Sequence, residues 1–135
     1  MKNQKGITLI ALVITIIVLL ILAGVTIAML TGKNGILTKA TDATDATGQA
    51  EAKEAVQLAL STILANQNDP TYTGNENEIT FDNLKSIIMK DNSSAIVTDG
   101  STQGNTKDIV IKYKPSSTAK NEYTVTVEIA TGKIK

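Results

Sequence analysis

The distribution of apolar residues changes sharply along the chain. Residues 7–31 read ITLIALVITIIVLLILAGVTIAMLT and contain no charged side chain. As an α-helix this run would measure about 38 Å, enough to cross a hydrocarbon core of roughly 30 Å with some tilt. The pattern therefore predicts a helix that spans a membrane.

A second helical pattern follows, with a different character. Apolar side chains recur at spacings of three and four, the period of a helix with one buried face. They are Ala52, Ala55, Val56, Ala59, Ile63 and Leu64. We predict a helix from about Leu37 to Asn66 that continues the hydrophobic segment. Gly32 and Gly35 lie between the two segments and predict a weak point or bend.

Short runs rich in β-branched residues predict β-strands in the last third of the chain, and in the third of these runs apolar and polar residues alternate strictly. The predicted strands are Ala95–Thr98, Asp108–Lys114, Glu122–Ala130 and a short one at residues 133–135. Before them we predict a loop at residues 66–77 and a short helix that Asp82 caps. That helix carries Leu84, Ile87 and Ile88 on one face.

These elements predict an α+β fold. Sequential strands joined by short polar loops favour an antiparallel meander, and its apolar face needs a cover. The apolar stripe of the second helix is suited to that role. We therefore expect a long N-terminal α-helix whose hydrophobic first half projects and whose amphipathic second half packs on a small antiparallel β-sheet.

Composition excludes several classes of function. The net charge is zero and no basic stripe is present, so the sequence predicts no nucleic-acid partner. The absence of histidine and cysteine removes the usual general base, thiol nucleophile and soft metal ligands. We predict no enzyme activity, no cofactor and no metal site. The few aromatic residues fit core packing, and Asn92-Ser93-Ser94 matches the N-glycosylation pattern.

The residues that flank the apolar run predict its orientation. Lys2 and Lys5 precede it and no acidic residue does, which places the N-terminus in the cytoplasm and the remainder outside. The run is longer than the apolar region of a secretory signal, about 7–15 residues, and no small-x-small cleavage site follows it. By these criteria alone, the sequence predicts a single-span membrane protein with an external domain.

The segment KGITLIALVITIIVLLILAGVTI resembles the class III signal of type IV prepilins and pseudopilins. The resemblance covers about residues 2–30. It implies that a prepilin peptidase cleaves between Gly6 and Ile7, and that the new terminus at Ile7 is N-methylated. The hydrophobic helix is then kept: it first anchors the subunit in the membrane and later packs in the core of an extracellular filament.

The resemblance also implies an organisation and a function. Residues 1–6 are the leader, 7–31 the transmembrane and filament-core helix, 32–66 the amphipathic helix, and 67–135 a globular head. The expected function is that of a structural subunit of a type IV pilus or pilus-like filament. Its partners are itself, the prepilin peptidase and the pilus assembly machinery, and it moves from the cytoplasmic membrane to the cell surface.

Two alternatives remain open: a pseudopilin of a type II secretion or DNA-uptake machine, and a single-span membrane protein with an external binding domain. The sequence departs from the family at the first mature residue, usually phenylalanine, and at the fifth, usually glutamate; here they are Ile7 and Ala11. The helix-breaking proline and the C-terminal disulfide loop are also absent. A minor pilin, or a subunit that keeps its leader, is compatible with these departures.

Without the carboxylate, the family's charge pair that sets helix register is missing. Candidate helix–helix contacts in assembly are Ile7, Thr8, Ala11, Thr15 and Gly24, and candidate flexible points are Gly24, Gly32 and Gly35.

Overall fold

The computed structural model describes residues 4–135 and shows an α+β fold. The elements in chain order are α1 (Gln4–Thr31), α2 (Ile36–Asn68), α3 (Phe81–Asp91), β1 (Ile96–Asp99), β2 (Asp108–Lys114), β3 (Tyr123–Glu128) and β4 (Lys133–Ile134). The chain divides into two compact units, with the boundary between Thr44 and Asp45. The predicted fold class, a long N-terminal helix packed on a small antiparallel sheet, is confirmed.

Helix α1 ends where the two predicted glycines occur. The amide of Gly32 still donates to the Ala28 carbonyl at 2.9 Å, and the amide of Gly35 donates to the Gly32 carbonyl at 2.7 Å. A Cβ on Gly35 would lie 2.7 Å from the Leu30 carbonyl oxygen, so only glycine fits this turn without a backbone shift. The turn between α1 and α2 therefore requires glycine at position 35, where a side chain would clash with the backbone.

The second unit contains a sheet of four antiparallel strands in the order β1-β2-β3-β4. This is the predicted meander. Strand β2 has the predicted bounds, but β3 ends at Glu128 rather than Ala130. The amide of Ile129 donates to the Lys107 carbonyl at 2.9 Å, and the chain then turns through Gly132, whose φ is 64°. Glycine tolerates that left-handed conformation, which is costly for other residues.

One face of the sheet, α2 and α3 enclose the hydrophobic core. The buried residues of α2 are Gly48, Ala52, Val56, Ala59, Leu60 and Ile63. The prediction was wrong for Leu64, which is 40% exposed, and it missed Leu60, which is 4% exposed. At 100° per residue, Leu60 lies nearer than Leu64 to the centre of the buried face that Ala52, Val56, Ala59 and Ile63 form, so Leu64 falls at the edge of that face.

Helix α3 is capped by a residue that precedes the predicted cap. Its N-cap is Thr80, with extended backbone, and the Thr80 hydroxyl accepts a hydrogen bond from the Asn83 amide at 3.3 Å. Asp82 lies inside the first turn, where its charge complements the helix dipole but does not cap. The buried face of the helix, Leu84, Ile87 and Ile88, is as predicted.

Tyr113 connects the sheet to α2 from inside the core. Its side chain is 1% exposed, and its hydroxyl donates to the Glu51 carboxylate at 2.9 Å. The side-chain amide of Asn92 donates to the same hydroxyl at 3.3 Å. Burial, and secondly the hydrogen bond to Glu51, raise the pKa of Tyr113, so its hydroxyl stays a proton donor. The Asn92 side chain thus has a structural role in the head.

Candidate processing site and assembly helix

Helix α1 is apolar on every side. No residue between Gln4 and Thr31 is buried, and the exposed fractions of its large apolar side chains range from 47% at Val18 to 69% at Met29. Within residues 4–135, one helical segment, near the N-terminus, is long and apolar enough to cross a membrane. A helix with this surface needs lipid or other apolar helices around it.

The threonine hydroxyls of α1 are satisfied within the helix. The Thr8 hydroxyl donates to the Gln4 carbonyl at 2.8 Å, and the Thr15 hydroxyl donates to the Ala11 carbonyl at 2.7 Å. Thr26 and Thr31 make the same bond to the carbonyl four residues earlier. Because no hydroxyl needs water, these residues add little cost to burial in an apolar medium. The roles of Thr8 and Thr15 in helix–helix contact stay predictions.

The predicted cleavage site lies inside the first turns of α1. The helix begins at Gln4, so the Gly6–Ile7 peptide bond is helical, and a Cβ on Gly6 would meet nothing within 4 Å. Ile7 is 65% exposed. Lys5 is exposed in the first turn, whereas Lys2 lies outside the described residues. Sequence reasoning missed the bond between Thr8 and Gln4, although their spacing of four residues is the signal for it.

The other candidate residues fall in two environments. Ala11 lies on the exposed surface of α1 and offers no side-chain acceptor for an amine. Gly24 is inside the unbroken helix, where an added Cβ would meet nothing within 4 Å, whereas Gly32 and Gly35 form the break. Flexibility at any of these glycines stays a prediction.

A comparison with known families identifies the N-terminal segment. Residues 1–27 match the family model of the prokaryotic N-terminal methylation motif. The chain carries a class III prepilin signal. With the apolar α1 behind it, this signal supports a secreted subunit that is similar to type IV pilins or pseudopilins. No curated protein and no solved structure matches the chain.

The pilin-like head shows no cluster of metal ligands in the part of the chain that the structure describes. Proteins with the prepilin signal in this family are structural rather than enzymatic. The signal also fits membrane insertion before assembly, and processing by a prepilin peptidase.

Proposed function

We propose that the chain is the structural subunit of a type IV pilus or pilus-like extracellular filament and that it polymerises through α1. The observation that supports this most is the apolar, wholly exposed surface of α1 behind a prepilin signal. A plain anchor also needs an apolar helix. The prepilin signal, however, would be cleaved before the apolar run of residues 7–31, so the mature subunit would keep that run.

Processing would separate the leader from the helix at Gly6–Ile7, followed by N-methylation of Ile7. Lys2 and Lys5 favour retention of the leader on the cytoplasmic side, where the peptidase acts. The membrane then holds the subunit until assembly.

Assembly would transfer α1 from lipid to a bundle of identical helices. Lipid and bundle are both apolar, and the hydroxyls of Thr15, Thr26 and Thr31 keep their acceptors within the helix after the leader is removed, so neither environment leaves them without a hydrogen-bond partner. Because Ala11 lacks a carboxylate, register depends on side-chain packing. We assign those contacts to Ile7, Thr8, Ala11, Thr15 and Gly24.

The direct experiment is mass spectrometry of filaments sheared from cells that express the chain. We expect intact subunits that begin at a methylated Ile7. Gly6→Val should retain the leader and yield no filaments, because a β-branched side chain replaces glycine at the scissile bond. Gly24→Val, at another glycine of the same helix, should still be cleaved.

Other outcomes favour the alternatives. A subunit processed at Ile7 that forms no long filaments at native expression would favour a pseudopilin. An intact leader and no polymer would favour a single-span membrane protein with an external binding domain.

A further inference from the structure

Within the described residues of α1, one side-chain hydrogen bond from a threonine bridges the scissile peptide. The Thr8 hydroxyl, on the mature side of Gly6–Ile7, donates at 2.8 Å to the carbonyl of Gln4, on the leader side. The other threonines of the helix, Thr15, Thr26 and Thr31, bond to carbonyls that lie after the cleavage point. Among these four, cleavage would therefore change the partner of Thr8 alone.

Cleavage also changes the backbone around Thr8. In α1 the amides of Leu9 and Ile10 point to carbonyls four residues earlier, which belong to the leader. Once the leader is gone, the amides at the new helix terminus have no acceptor. In an apolar medium each unsatisfied amide is costly. Neither Ile7 nor Ala11 has a side-chain oxygen to satisfy one.

We propose that leader removal converts Thr8 into the N-cap of the mature helix. Its hydroxyl, released from Gln4, turns from donor into acceptor and receives the amide of Ile10 or Ala11, the second or third residue after the cap. Threonine is one of the residue types that cap helices well, and the spacing meets the geometry of the motif. This inference rests on the proposed function, since it requires cleavage at Gly6–Ile7.

The cap has a consequence for the new terminus. An N-cap residue has an extended backbone, so the regular helix would begin at Leu9. The ammonium group of Ile7 would then stand outside the helix rather than at its positive dipole end. The extended Ile7–Thr8 segment would present the amine to the methylating enzyme.

Amide hydrogen exchange, measured by NMR on the full precursor and on the cleaved chain in detergent micelles, tests the proposal. In the cleaved chain, Thr8→Val should make the Ile10 and Ala11 amides exchange about fivefold faster, the factor expected for loss of a typical N-cap. In the precursor, where both amides lie inside a continuous helix, the same substitution should leave their exchange nearly unchanged. Thr8→Ser should restore the slow exchange of the cleaved chain.

Thr15→Val is the matched control, because it removes a hydroxyl whose acceptor survives cleavage; its effect should be the same before and after processing. Unchanged exchange in cleaved Thr8→Val would overturn the cap, and so would an equal acceleration in the precursor, which indicates a merely structural role. If mass spectrometry shows no cleavage at Gly6–Ile7, the proposed function fails together with the cap. Cleavage with unchanged exchange overturns the cap alone.

Discussion

Gly48 of α2 lies directly against the ring of Tyr123 on β3. A Cβ on Gly48 would overlap the Cζ atom of Tyr123, far inside van der Waals contact. Because Gly48 has no side chain, the Tyr123 ring can pack directly against the backbone of α2. This contact gives a helix-weakening glycine a structural reason.

We predict that the effect of Gly48→Ala on the free energy of unfolding changes sign when Tyr123, the residue opposite it, is replaced. In the wild type, displacement of the Tyr123 ring should outweigh the gain in helix propensity, for a net loss of about 1 kcal/mol. In a Tyr123→Ala background the same change should stabilise by about 1 kcal/mol, because only the propensity term remains. Urea denaturation followed by far-UV circular dichroism measures both. Ala50→Gly on the exposed face of α2 is the control and should cost the same in both backgrounds.

The hydroxyl of Tyr113 should contribute measurably to the stability of the head. Tyr113→Phe keeps the buried ring but removes the bond to Glu51, so we expect a loss of about 1 kcal/mol in unfolding free energy. In that background, Glu51→Ala should add little further cost, since its partner is already gone. Additive losses in this double-mutant cycle would contradict a direct interaction.

Glu76 should make stability depend on acid pH. Its carboxylate accepts hydrogen bonds from Lys90 at 2.6 Å and from Ser86 at 2.7 Å, and these lower its pKa from the ordinary value of 4.5. A carboxylate with a lowered folded-state pKa stabilises above its unfolded pKa, and the contribution disappears as the pH falls through the lowered value.

We therefore expect that, as the pH is lowered below 4.5, the urea concentration at the unfolding midpoint decreases more steeply for the wild type than for Glu76→Gln. Lys90→Met should also flatten the profile, because Lys90 is the larger cause of the shift. Parallel pH profiles for the wild type, Glu76→Gln and Lys90→Met would show that the Glu76 carboxylate does not contribute to stability.

Substitutions of two glycines in the first unit should have different effects. Gly35→Ala places a Cβ near backbone carbonyls at 2.7 and 2.8 Å, so the turn must shift and its bond to Gly32 weakens. Trypsin should then cleave after the exposed Lys33 about five- to tenfold faster in micelles, since cleavage follows the population of the open form. Gly24→Ala meets nothing within 4 Å and should leave that rate unchanged. Equal rates for both variants would contradict the packing argument.

Local patterns predicted the elements well where apolar residues recur at the spacing of a strand or a helix. Strand β2 has the predicted bounds: Ile109, Ile111 and Tyr113 recur at every second position, and the structure buries these three. The end of β3 was missed because it depends on the bond from Ile129 to Lys107, a contact that no local pattern contains. Likewise, the position of the sheet decides whether Leu60 or Leu64 is buried. The apolar stripe of α2 is too broad to decide this by itself.

The candidate site was predictable to a different degree. A prepilin signal is a linear pattern of charge, glycine and apolar run, so the sequence contains all of it. The bond between Thr8 and Gln4 exists only once the leader is helical, and the sequence does not specify that the helix begins before the cleavage site. The Gly48–Tyr123 contact was missed for a related reason: it joins distant parts of the chain.

The hydrophobic core has an implication for how such a chain diverges. Every residue of the core cluster lies after Asp45, where the second unit begins. The second unit therefore forms this core from its own side chains. Substitutions that alter the outer surface of the head need no compensating change in the N-terminal helix. Under the proposed function, substitutions can thus accumulate in the second unit while assembly constrains the sequence of α1.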